Sequence, residues 1–165
     1  MQASQAVIIL LLVANLVATV WFGLNDEPVT IATQTQTEKT AEHELPAVIT
    51  YEVRDRLYNR FVRAFNAKDY DALYDMFGPG AKAQFSKELA NAEFQKLTKY
   101  FHSVEGGGFT YSELSGTQGN TKVYILNYAV TFPKSSELGT SGTLKITVAV
   151  QGGDYQVYGI RINAG

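Results

Sequence analysis

His102 is the sole histidine of the C-terminal two thirds of the chain, beside Phe101 near the end of a predicted helix. A lone imidazole there could act as a general base at a pocket mouth. The more ordinary use of a cation at that place is to offset the negative end of the helix dipole. The carboxylates offer no paired arrangement. Asp69, Asp71 and Asp75 fall on one predicted helix, Glu105 and Glu113 near turns, and Glu137 and Asp154 in loops. His43 lies in a polar stretch, where a solvated side chain is expected. No cysteine occurs, which excludes disulfides, thiolate zinc sites, iron–sulfur clusters and thiol catalysis. Nor is there a metal-ligand spacing, a nucleophile elbow or a phosphate-binding glycine loop, so no metal or cofactor is expected. Gly106-Gly107-Gly108 follows a predicted helix and reads as its stop signal. Aromatic side chains remain: with ten Tyr and nine Phe, a pocket lined by Phe65, Tyr70, Tyr124 and Tyr128 is conceivable, and so is a plain aromatic core.

The elements that would position these residues occupy residues 51–165. Val53, Leu57, Phe61, Ala64 and Phe65 recur at helical spacing, with Arg56, Arg60 and Arg63 on the other side. That stripe reads as a solvated face, with Glu52 placed to pair with Arg56. A second helix is capped by Asp69, buries Tyr70, Leu73, Met76 and Phe77, and stops at Gly78-Pro79-Gly80. A third is expected from Asn91, with Phe94, Leu97, Phe101 and Val104 inward. The period then switches to two. Strands are predicted over Phe109–Leu114, Lys122–Phe132, Thr143–Gln151 and Tyr155–Asn163, the last two joined through Gly152-Gly153. Tyr124, Leu126, Tyr128, Val130 and Phe132 share one face of the second strand. In the third, Leu144, Ile146, Val148 and Val150 oppose Lys145, Thr147 and Ala149. The fold class is α+β, three helices packed on a curved antiparallel sheet. The open face bearing Lys145, Thr147 and Ala149 is the expected protein-contact surface.

Ahead of this domain stands a run from Ala6 to Leu24 without one charged residue. Nineteen helical residues span roughly 28 Å, the thickness of a bilayer core. MQASQ lacks the basic residues of a signal peptide and no small-x-small site follows the run, so residues 1–24 read as a retained transmembrane anchor. The expected partners are therefore the lipid bilayer and other subunits of a membrane complex, including a second copy of the chain. Ala14, Asn15, Ala18 and Thr19 share one face, a pattern by which membrane helices pack closely. Residues 25–50, rich in Thr, Gln and Glu between Pro28 and Pro46, read as a flexible polar tether. A bacterial inner-membrane, single-pass arrangement with the C-terminal domain outside the cytoplasm is expected. Residues 51–165 carry eleven acids against thirteen Lys and Arg. So small a surplus gives no reason to expect nucleic acid.

The segment FVRAFNAKDYDALYDMF (61–77) and the ending KITVAVQGGDYQVYGIRI (145–162) resemble the nuclear transport factor 2-like, or cystatin-like cone, superfamily. The likeness covers residues 51–163. It implies a cone whose enzymes carry an Asp or His inside, often facing a Tyr, and neither stands on the strand interiors expected here. Isomerases, dehydratases, ligand-binding domains and assembly domains all use this fold. The reading carried forward is a non-enzymatic assembly domain on a membrane anchor, resembling in plan the inner-membrane scaffold subunits of type IV secretion systems. A module holding a small apolar ligand in the cone is the alternative, and an isomerase- or dehydratase-type enzyme the next. A pilin-like subunit would need a glutamate early in the apolar run, which this chain lacks.

Overall fold

A computed structural model describes residues 45–165 of the protein. The expected anchor of residues 1–24, its face of Ala14, Asn15, Ala18 and Thr19, and the tether as far as residue 44 lie outside the described residues. Among those described, no helix is long and apolar enough to cross a membrane.

The order is four helices and then four strands. They are α1 (Tyr51–Ala67), α2 (Tyr70–Tyr74), α3 (Pro79–Lys82), α4 (Lys87–Phe101), β1 (Gly106–Gln118), β2 (Thr121–Thr131), β3 (Ser141–Gln151) and β4 (Asp154–Ala164). The strands form one antiparallel sheet in the order β1-β2-β3-β4. This is the expected α+β architecture: a curved four-stranded sheet with helices over one face. Period-two alternation decides which face. Tyr124, Leu126, Tyr128 and Val130 of β2 and Leu144, Ile146, Val148 and Val150 of β3 all point under the helices. They meet Val53, Leu57, Phe61 and Phe65 of α1 and Phe94 and Phe101 of α4.

Each longer helix starts on a hydroxyl cap. Thr50 Oγ1 accepts from the Val53 amide at 3.3 Å, and Ser86 Oγ accepts from Leu89 at 3.3 Å. A side-chain oxygen satisfies there one of the amides that the first turn leaves orphaned. The short α2 is held by Asp69 Oδ1 on the Ala72 amide at 2.9 Å, as the sequence suggests.

Four expectations need correction. The helix expected from Asn91 is α4, which begins at Lys87 with Ser86 as its cap. Asn91 Nδ2 instead donates to Asp71 Oδ1 at 2.8 Å, with Lys87 Nζ on the other carboxylate oxygen at 2.8 Å. Together they hold the Asp71 carboxyl below its usual range, Lys87 first. The second helix ends at Tyr74, ahead of Gly78-Pro79-Gly80 and of the buried Met76 and Phe77, and Pro79 then supplies a preset φ at the first position of α3. The glycine triplet is strand, not stop: Gly106, Gly107 and Gly108 pair with Thr131, Val130 and Ala129. Gly107 has φ 148°, and a β-carbon there would strike the Ala129 carbonyl. Last, Glu52 makes no ion pair with Arg56. Its carboxyl is held low chiefly by a hydrogen bond with Thr50, and Arg56 Nη2 donates to the Tyr155 hydroxyl at 3.3 Å.

Packing also reaches ahead of Tyr51. Ile49 is buried, Leu45 and Val48 lie against the core, and the Ile49 amide turns back to Pro46 O at 2.8 Å. The chain therefore leaves the expected tether by Leu45. Behind α4, Asn66 grips the backbone of Val104 from both sides, donating to its carbonyl and accepting from its amide, each at 2.8 Å. At the other end of the sheet Phe77 forms a parallel bridge with Val157 of β4, and the Gly78 amide donates to Val157 O at 2.8 Å.

Candidate functional site

The four residues expected to line a pocket in the cone part company. Phe65 and Tyr128 are completely buried and Tyr124 nearly so. Phe65 stacks on Phe61 at 5.2 Å between ring centroids. Tyr128 stacks on Tyr58 at 5.5 Å and takes the edge contact of Phe109 at 5.7 Å, while the Arg54 guanidinium lies 4.2 Å above the Phe109 ring. The Tyr128 hydroxyl donates to Arg54 O at 3.0 Å. Burial pushes its phenol far above the usual value and raises that of Tyr58 as well, since a phenolate there would lose its water. These rings are packed interior, between the helices and the sheet. Tyr70, half-buried, stands apart from them, its hydroxyl 3.0 Å from Thr98 Oγ1. Thr98 in turn donates to Gln95 O at 3.0 Å, so Tyr70 is the donor of that pair.

Among the described residues no carboxylate and no imidazole is buried; the buried polar residues are Thr98, Ser112 and Asn127. His102 is exposed at the end of α4. No group of three or more His, Cys, Asp or Glu within the described residues could hold a metal ion.

The outer sheet face is built by strand register. Val123 pairs with Ala149 and Ile125 with Thr147, while Gly116 and Gly159 extend these two rows onto β1 and β4. Next to them runs a polar row in which Tyr111, Asn127, Lys145 and Arg161 are paired in turn. Lys145 Nζ lies 3.9 Å from Glu113 Oε1, which also accepts from Asn127 Nδ2 at 2.8 Å. The Asn127 Oδ1 atom is buried without a hydrogen-bond partner. Of the three residues expected on this face, Lys145 and Thr147 are half-exposed. Ala149 is buried, at the side of a polar hollow lined with Thr121, Gln156 and Tyr158. Reading β3 alone finds these three. The same alternation in β2 marks Val123, Ile125 and Asn127, a signal present in the sequence. Tyr111 and Glu113 lie within the strand expected over Phe109–Leu114, and the pairing of β1 with β2 sets them beside Asn127 and Ile125.

A second surface feature was not foreseen. Between α4 and β4 runs an apolar groove of about 340 Å³, whose walls include Phe77, Phe85, Phe94, Leu97, Tyr158 and Ile160. Leu89 at its rim is 57% exposed, and Glu93 is the one charged residue lining it. A third hollow, of about 650 Å³, collects Lys68, Tyr70, Lys96, Thr98, Lys99 and His102 at the ends of α1 and α4. In the arginine stripe of α1, Arg60 Nη2 donates to Asp75 O at 3.1 Å and Arg56 to Tyr155, so two of its three members serve the fold.

No family model matches the chain, and no curated protein matches it. Among solved structures the chain is similar to Aln2 from a Streptomyces species, at 16% identity and a TM-score of 0.47, over 73% of this chain and 94% of that one.

Proposed function

We propose that the protein is a non-enzymatic subunit of a membrane complex, whose domain has the nuclear transport factor 2-like cone and docks on other subunits through the outer face of its sheet. The reading joins the apolar run at residues 6–24, which suits a single-pass anchor, to a domain whose interior is occupied by its own aromatics. One observation carries the docking surface. Gly116, Val123 and Ala149 form one row across the sheet, and Ile125, Thr147 and Gly159 form the next. Each row carries one longer polar residue at an outer strand, Gln156 beside Ala149 and Glu113 beside Ile125, and the small and β-branched side chains between let a second sheet or a helix approach closely, as sheet faces packed about 10 Å apart require. The adjoining row of Tyr111, Asn127, Lys145 and Arg161 supplies a polar rim with an aromatic anchor.

The test is co-purification of the full chain in mild detergent. Thr147 is half-exposed, so Thr147→Arg leaves the core untouched and places a charge among the two rows. Wild type elutes with a partner subunit or as a multimer, and Thr147→Arg at equal membrane level elutes alone. An unchanged complex overturns the assignment of this face.

The α4–β4 groove favours a second reading. Its volume of about 340 Å³ and its apolar walls suit a small apolar ligand. On this reading the ligand sits outside the cone, beside Phe85 and Tyr158, and not against Tyr124 and Tyr128.

A further inference from the structure

Among the described residues two that are not glycine have positive φ: Lys68 at 55° and His102 at 64°. Lys68 follows the end of α1 in the left-handed conformation, where glycine is the usual occupant. His102 has ψ −67°, and the Ser103 amide closes on Phe101 O across it at 2.8 Å. That is a γ-turn of the strained, positive-φ form. Thirty-four positions apart in sequence, both residues line the same hollow. Two more lysines line it, Lys96, held by Glu93 at 2.6 Å, and Lys99. Lys68, Lys99 and His102 have no acidic partner among the described residues, and no carboxylate lines the hollow. Its least exposed wall is Thr98, bonded to the Tyr70 hydroxyl.

We propose that this hollow is a binding site for a compact oxyanion, a phosphate or sulfate group, gripped by Lys68, Lys99 and His102 above the Tyr70–Thr98 pair. Charge at a helix C-terminus would by itself account for basic residues here. It does not account for their backbone. A lysine in an ordinary helical turn would offset the dipole equally well, whereas these two positions hold cationic or polar side chains where glycine would be relaxed. Strain kept at two separate positions that converge on one concave surface is the pattern of a site in which orientation of the side chain matters. The hollow is also wide enough for the group to carry a substituent, so a phospholipid headgroup and a free phosphate share the chemistry required.

The experiment uses the full chain in a zwitterionic detergent, with thermal unfolding as the readout. Inorganic phosphate is titrated against chloride at equal ionic strength, and dihexanoyl phosphatidic acid against dihexanoyl phosphatidylcholine. The expected result is a saturable rise in midpoint with one of the two anions and none with its control; which one responds identifies the source. Lys99→Gln keeps a polar side chain of nearly the same reach and removes its charge, and weakens the apparent affinity by roughly tenfold. Lys68→Gly separates function from fold: it raises the midpoint without anion, by relieving the left-handed lysine, and weakens the anion response to a similar extent. A wild type without a saturable response to either anion overturns the proposal. So does an unaltered response in both variants.

Discussion

Tyr128 shows how a residue that looks like a ligand contact becomes part of the core. Its ring lies between Tyr58 and Phe109, and its hydroxyl donates to a backbone carbonyl, Arg54 O. Because burial raises the phenol of Tyr128 and of Tyr58, the folded state holds these protons more tightly than the unfolded chain does. The stability they contribute is complete below the ordinary phenol value of 10.0 and is lost as pH rises above it. Denaturant titrations above pH 10.0 should therefore show a fall of up to about 1.4 kcal/mol per pH unit from Tyr128, and a weaker one from the less enclosed Tyr58. Tyr128→Phe should cost about 1 kcal/mol at neutral pH through the lost hydrogen bond. It should also flatten the alkaline decline, and an equally steep decline in that variant would assign the effect to other groups.

At the level of elements, caps and glycines decide what sequence reading can see. Strands β2, β3 and β4 and the hairpin between the last two follow directly from period-two alternation and Gly152-Gly153. The start of α4 does not. Its first turn, Lys87-Glu88-Leu89, lies outside the buried stripe of Ala90, Phe94, Thr98 and Phe101, so an apolar-period criterion places the start too late. Asn91 has the chemistry of a cap but spends it on Asp71. Ser86→Ala should thus destabilise the protein by about 1 kcal/mol. Asn91→Ala should cost less in urea unfolding, since only an exposed bond between α2 and α4 is lost; the reverse order would restore the later start. The glycine triplet misleads for a related reason. Glycine after a helix is a stop in most chains, but Gly107 is needed because β1 passes too close to Ala129 for any side chain. The basic hollow was illegible on other grounds: Lys68 and His102 are brought together by tertiary packing, and positive φ at a lysine leaves no mark in composition.

For the molecule as a whole, the first described residues matter to any dissection. A fragment cut at Tyr51 discards Ile49, which is buried, and Thr50, which caps α1. Compared with a fragment beginning at Leu45, it should be less stable by about 2 to 4 kcal/mol in urea unfolding, from one aliphatic side chain and one cap. Equal stability of the two would mean that residues 45–50 only rest on the surface.

The two outer strands settle a further matter, that of aggregation. An unpaired strand is a template on which another chain can add, and repeated addition gives fibres. Here β1 breaks register twice, between Phe109 and Tyr111 and again between Leu114 and Gly116, which bends it away from a flat partner. On the opposite side Phe77 and Gly78 occupy the margin of β4 at Val157, and Arg161 places a charge on the stretch beyond. Growth of the sheet sideways is obstructed at both margins. Contacts made across the sheet face leave the strand ladder no longer than before, so the domain can stand at high local concentration without seeding polymer.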